Sequence, residues 1–275
     1  MSLNRSGHLA GCCVVVMAAA FDSVAVAQAV VFQTDFDAGV ASEIDPGAAA
    51  AEGVQGYAGL GHPGNQFGGL FLRSPTGNVV TLTLDGLPAH DAVSVRFLFA
   101  AIDSLDGTGV FPEGDFLRVT VDGTQVFRES FANATASQDQ SYVPPPGGEL
   151  AHRVNLGFTQ GSFYLDSAYD LGLDPVFIDI PHAGPTMTIT WEIEGPGIQP
   201  LADESWAMDR LEVSVRTLCP ADLAAPFGVL NFFDVSAFIA FYNAQDPRAD
   251  FAAPFGVFNF FDVSAFIGAY NAGCP

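Results

Sequence analysis

Apolar and polar residues alternate with a period of two along several short stretches of the chain. Val79-Val80-Thr81-Leu82-Thr83-Leu84 does so, as do Val93-Ser94-Val95-Arg96-Phe97-Leu98-Phe99 and Thr186-Met187-Thr188-Ile189-Thr190-Trp191. Leu211-Glu212-Val213-Ser214-Val215 closes the series. Successive side chains of a strand point to opposite faces, so this pattern predicts half-buried strands. Val119-Thr120-Val121 and Val126-Phe127 flank Asp122-Gly123, a pair that tolerates the positive φ angles of a primed hairpin turn. No helical period of useful length interrupts these strands, and Gly- and Pro-rich segments join them. Residues 30–217 are therefore expected to be mainly β, an antiparallel β-sandwich of the jelly-roll type. The weakly patterned stretches 38–66 and 132–161 read as irregular loops or edge strands.

Past residue 217 the texture changes. The segment from Asp222 to Asn243 recurs almost unchanged from Asp250 to Asn271, at an offset of about 28 residues, which marks two copies of one supersecondary unit. Each copy reads as a loop followed by a helix. Val235, Phe238, Ile239 and Tyr242 fall on one helical face, and Val263, Phe266, Ile267 and Tyr270 repeat it. Two such helices can bury most of this stripe against each other.

At the other end, Arg5 precedes an apolar run from Leu9 to Phe21, and small residues follow at Ala25, Ala27 and Ala29. This order is that of a secretory signal, with cleavage after Ala27 or, preferably, Ala29. The run is too short to cross a bilayer. The expected divisions are a signal at 1–29, a sandwich at 30–217 and a tandem repeat at 218–275, in a secreted, extracellular or surface-associated protein. Cys12 and Cys13 leave with the signal. The remaining pair, Cys219 and Cys274, bracket the repeats and are expected to form a disulfide. In the chain-entropy picture such a bridge contributes on the order of 4 kcal/mol, a large share for so small a module.

Composition narrows the function. The formal net charge is −22, and every cation is an arginine. Nucleic acid and anionic membrane surfaces need clustered cations and are excluded as partners. Lysine-dependent chemistry, including Schiff bases and the phosphate-binding loop of nucleotide hydrolases, is excluded as well. Divalent cations are favoured. His62, His90, His152 and His182 have no zinc spacing, and no Gly-x-Ser-x-Gly elbow is present. Tyr142, Tyr164, Tyr169, Trp191 and Trp206 could line a sugar platform or fill the core, with core the preferred place for Trp191.

The paired loop-helix units, acidic at the loop start and again at the helix start, resemble a dockerin module, closest to the type ending in Gly-Cys, here Gly273-Cys274. The resemblance implies calcium bound in EF-hand-like loops and docking onto a cohesin on a scaffold or cell surface. Asp222, Asn231 and Asp234 match the family's ligand positions in the first unit, and Asp250, Asn259 and Asp262 match them in the second. The loops are one residue longer than the family pattern, and Ala224 and Pro226 replace side-chain oxygen ligands. The alternative is a metal-free loop in which Asn231 caps the helix and Asp234 completes a capping box. Phe227, Phe232, Phe233, Phe255, Phe260 and Phe261 are candidates for an apolar partner-binding face.

In the sandwich, Asp103-Ser104-Leu105-Asp106-Gly107, then Asp115, and Asp203-Glu204-Ser205-Trp206-Ala207-Met208-Asp209 loosely resemble paired motifs of exported bacterial sandwich proteins with sorting tags. Leu105 and Ala207 depart from that pattern. Asp103, Asp106, Asp115, Asp203 and Asp209 are candidate calcium ligands where the two segments meet. The expected function is that of a non-catalytic, carbohydrate-binding protein carried to a surface by its tail. The alternative is a polysaccharide-degrading hydrolase delivered in the same way.

Overall fold

The structure is a computed structural model and describes residues 27–88, 90–109, 114–133, 137–158, 165–217, 219–225 and 229–274. The signal-like segment up to residue 26, Tyr164 and Phe227 lie outside the described residues.

The strands are β1 (Ala27–Thr34), β2 (Ile44–Asp45), β3 (Ala50–Gly53), β4 (Gly61–His62), β5 (Asn65–Gln66), β6 (Leu70–Pro75), β7 (Val80–Asp85) and β8 (Ala92–Asp103). They continue with β9 (Phe116–Val121), β10 (Thr124–Ser130), β11 (Glu149–Val154), β12 (Asp166–Asp170), β13 (Ile180–Pro181), β14 (Thr186–Glu194) and β15 (Glu204–Thr217). Two helices follow, α1 (Phe232–Ala244) and α2 (Phe260–Ala272). One sheet runs β11-β12-β8-β15-β6-β3, with β1 also on β15 and β13 on β8; a second runs β10-β9-β14-β7-β2. All described pairings in both are antiparallel.

The sheets share one core. Leu82, Val119, Ile189 and Trp191 from the second sheet pack with Val95, Phe97, Trp206 and Met208 from the first. The architecture is thus an antiparallel β-sandwich. Asp122 (φ 48°) and Gly123 (φ 75°) both take positive φ, which makes the β9–β10 connection the primed turn that its sequence predicts.

The alternation of β8 proves incomplete. Nearly every residue of that strand is buried, because the larger sheet is covered on both faces. On the outer face Leu98, Ala100 and Ile102 meet Val54, Tyr57, Phe67 and Phe158. The weakly patterned stretches supply this cover, and within them β2, β3 and β11 pair with the sheets. β1 begins at Ala27, so cleavage after Ala29 would leave Val30–Thr34 to pair with β15.

The C-terminal helices pack through the stacked rings of Phe238 and Phe266, whose centroids lie 4.0 Å apart. Ile239 and Ile267, on the stripe expected to be covered, remain exposed. Cys219 and Cys274 form a disulfide that closes the module.

Candidate functional site

Three carboxylates meet where β8, β9 and β15 come together. The loop after β8 folds back on itself, with the Asp106 N–H donating to Asp115 Oδ2 at 2.7 Å and the Asp115 N–H to the Asp106 carbonyl at 2.9 Å. Glu204 opens β15 opposite Asp103. Carboxylate oxygens of Asp106, Asp115 and Glu204 lie within 4.8 Å of one another. The three residues are 8%, 1% and 0% exposed. Gln138 Nε2 donates to Asp106 Oδ1 at 2.7 Å, and the Gln199 backbone and side-chain nitrogens hold the Glu204 carboxylate at 2.9 and 2.8 Å. Burial first, then the neighbouring acids, push Glu204 and Asp115 above the usual carboxylate range.

Of the five acids expected to converge here, Asp106 and Asp115 do. Asp103 takes a φ of 63° at the strand end, and its charged neighbours are Asp166, Arg73, whose Nη2 is 3.9 Å away, and Asp203. Burial, then Asp166, push Asp103 up to about 7. Asp203 sits at the rim, where its carbonyl accepts from the Ser104 N–H and hydroxyl. Asp209 lies elsewhere and accepts backbone N–H bonds from Gly68 and Arg210. Glu204 is not among the expected ligands, although the alternation of β15 places it in phase with the core residues Trp206 and Met208.

A second feature is a polar cleft of about 540 Å³ lined by Asp35, His62, Asn65, Arg96, Asp170 and Glu212 among others. A bulge in β15 between Asp209 and Glu212, with Arg210 at φ 52°, re-aims the strand there. Asn65 Nδ2 donates to Asp170 Oδ2 at 3.0 Å, and His62 Nε2 lies 3.0 Å from the Gly147 carbonyl. Arg210 reaches the Gln66 carbonyl and Asp35. Arg96 is exposed, and its guanidinium makes no hydrogen bond or ion pair among the described residues. No sequence motif marks this cleft, because a bulge and two short hairpin strands assemble it. Tyr142, Tyr169, Trp191 and Trp206 are buried in the core and form no sugar platform.

In the C-terminal module the expected calcium positions at the helix starts, Asn231, Asp234, Asn259 and Asp262, are engaged by backbone. Asp234 Oδ1 accepts from the Leu223 and Ala224 N–H groups, each at 2.9 Å, and Oδ2 from the Asn231 N–H at 2.8 Å. Asn231 caps α1 by accepting from the Phe233 N–H, and Asn259 caps α2 through Phe261. Asp262 accepts from Asn259 and Ala252, and these backbone bonds hold it below the usual carboxylate range. Asp250 accepts from the Gly256 N–H, and Asp222 is buried near the disulfide. Phe232, Phe233, Phe255, Phe260 and Phe261 are exposed, between 61% and 76%. The module's own core uses Phe238 and Phe266, flanked by Phe251.

No family model matches the chain, and no curated protein does. Among solved structures, it is similar to a GH115 4-O-methyl-α-glucuronidase specific for decorated arabinogalactans, at 12% identity and a TM-score of 0.32, covering 67% of this chain and 17% of that one. It is also similar to the catalytic domain of Agl-KA, at 18% identity and a TM-score of 0.30, covering 78% and 34%. A tandem CBM22 structure from Paenibacillus barcinonensis Xyn10C matches at 13% identity and a TM-score of 0.30, covering 68% and 50%. The chain thus spans half or less of the length of each.

Proposed function

We propose that the chain is an exported, non-catalytic protein whose jelly-roll sandwich binds a carbohydrate in the polar cleft, and whose dockerin-like tail docks it onto a cohesin-like scaffold. The observation that carries this reading is the cleft itself. Its donors and acceptors, Arg96, Asn65, Asp170 and Glu212, are of the kind that bond ring hydroxyls, and the Arg96 guanidinium, whose charge acts on Asp170, makes no hydrogen bond or ion pair among the described residues. Its volume suits one or two sugar rings. The exposed phenylalanines of the tail support docking, since apolar aromatic patches are the anchors of protein interfaces. We read the tail as held by its disulfide and its Asp234 and Asp262 bonds, with docking its only task.

The test is binding of the full chain to a glycan array, followed by calorimetry on the best ligand with wild type and Arg96→Ala. Loss of about tenfold or more in affinity in the variant supports the cleft. Absence of binding to any plant or algal glycan sinks the reading. Release of reducing sugar, lost on substitution of one cleft carboxylate, replaces it with the hydrolase.

A further inference from the structure

The acidic cluster at the β8–β9–β15 junction is not used by the cleft or by the tail. Its three carboxylates are buried together, and no described arginine pairs with any of them. The hydrogen bonds that reach the cluster leave two oxygens over. Among the described residues, neither Asp115 Oδ1 nor Gln138 Oε1, in a side chain only 6% exposed, has a hydrogen-bond partner. The Gln138 amide nitrogen is 2.7 Å from Asp106, so the unpartnered oxygen of the same amide sits at the edge of the cluster. A buried amide oxygen without a donor is satisfied by a water or a cation, and a cation also offsets the charge of the carboxylates beside it.

The donor set is all oxygen, with no His or Cys, which selects a hard divalent cation over zinc or copper. The ligand oxygens span no more than 4.8 Å, which fits opposite sides of a calcium shell with bonds of about 2.4 Å. Magnesium demands near-ideal octahedral geometry and usually keeps several of its waters, whereas calcium takes six to eight oxygens in a flexible shell, which suits a site of buried side-chain oxygens better. We propose that Asp106, Asp115 and Glu204, with the side-chain oxygen of Gln138, form a calcium site that ties the β8–β9 loop and the 137–139 segment to the start of β15. Water completes the shell. The proposal stands apart from the glycan-binding reading and needs no ligand in the cleft.

The experiment is calcium titration of the full chain after chelation, by calorimetry and by thermal unfolding followed through tryptophan fluorescence. Both tryptophans, Trp191 and Trp206, belong to the sandwich core, so this signal ignores the tail. The expected result is calcium binding tighter than about 1 mM and a rise of about 5 °C in the sandwich transition. Glu204→Gln and Gln138→Ala should each weaken binding by about tenfold or more. Terbium luminescence sensitised by Trp206, two residues along the strand from Glu204, gives a second readout, which Asp115→Asn should abolish. Wild type that shows neither heat nor a thermal shift overturns the proposal, and then the acids share protons instead. Calcium that binds with unchanged affinity in all three variants overturns it equally.

Discussion

The sandwich and the C-terminal module each bury aspartates, and they solve the problem in opposite ways. Asp234 is fully buried, yet three backbone N–H groups point at its two oxygens. Those donors are the otherwise unsatisfied amides of a loop and of a helix start, and the helix dipole adds to them. Asp262 repeats the arrangement and is held below the usual carboxylate range. Asp106, Asp115 and Glu204 are buried as deeply but face one another, and Asp115 and Glu204 are pushed up. Acid content alone cannot separate the two cases. What each carboxylate faces does: backbone N–H donors surround Asp234 and Asp262, whereas Asp106, Asp115 and Glu204 face other acids.

The difference between the two regions is largest at Asp234. Asp234→Ala leaves three backbone donors without an acceptor and should cost the module about 3–5 kcal/mol, since each buried orphan costs about 1–3 kcal/mol and water recovers part of that. Asp234→Asn keeps one acceptor oxygen and should cost less. In the full chain, helical circular dichroism should show an early transition in Asp234→Ala while tryptophan fluorescence, confined to the sandwich, melts as in wild type. Retention of the helical transition at its wild-type temperature would mean that the cap bonds do not hold the loops.

How far these differences could be read from the chain follows from what each depends on. The strands at 80–84 and 186–191, the primed turn at Asp122-Gly123 and the repeat are local patterns, and the structure contains each of them. The capping box is local too, with Asn231 and Asp234 three residues apart. The acidic cluster is not local. It needs β15 to lie beside β8, about a hundred residues away in sequence, and this pairing brings Glu204 rather than Asp203 to Asp106 and Asp115. The double burial of β8 was hidden for a related reason, since the cover on its outer face comes from segments with no periodic pattern. The cleft depends on a bulge, which one extra residue creates and no composition signals.

Among the described buried acids of the sandwich, Asp103 has the fewest donors. Neither of its oxygens accepts a hydrogen bond among the described residues, and burial pushes it up to about 7 from 3.8. The sign is the reverse of that for a salt-bridged acid. Below about pH 4 the group is neutral in both folded and unfolded chains and costs nothing. As pH rises through the window up to about 7, the unfolded chain ionises it freely while the fold resists, so stability falls, and above that window the loss is constant. Asp103→Asn removes the effect. With calcium chelated, denaturant unfolding should show a gain of about 2 kcal/mol at about pH 8 and almost none near pH 4, roughly half of the full linkage value because a buried amide has its own desolvation cost. An equal gain at both pH values would place the effect in packing rather than in ionisation.

The smallest effect on stability falls on the exposed face of the module, where the two copies can be set against each other. Phe232 and its counterpart Phe260 are 75% and 76% exposed, so changing either to Ser should shift stability by less than about 0.5 kcal/mol. Docking should respond quite differently. If each copy presents an equivalent apolar face, Phe232→Ser alone leaves the Phe260 face intact and binding to a cohesin-like partner persists in the other orientation. The double variant should lose it, with a fall in affinity of about a hundredfold, as expected when buried aromatic anchors are removed. Equal loss in one single variant and none in the other would show that the repeats, nearly identical in sequence, are not equivalent in use. Binding that survives the double variant would remove the phenylalanine face from the docking surface altogether.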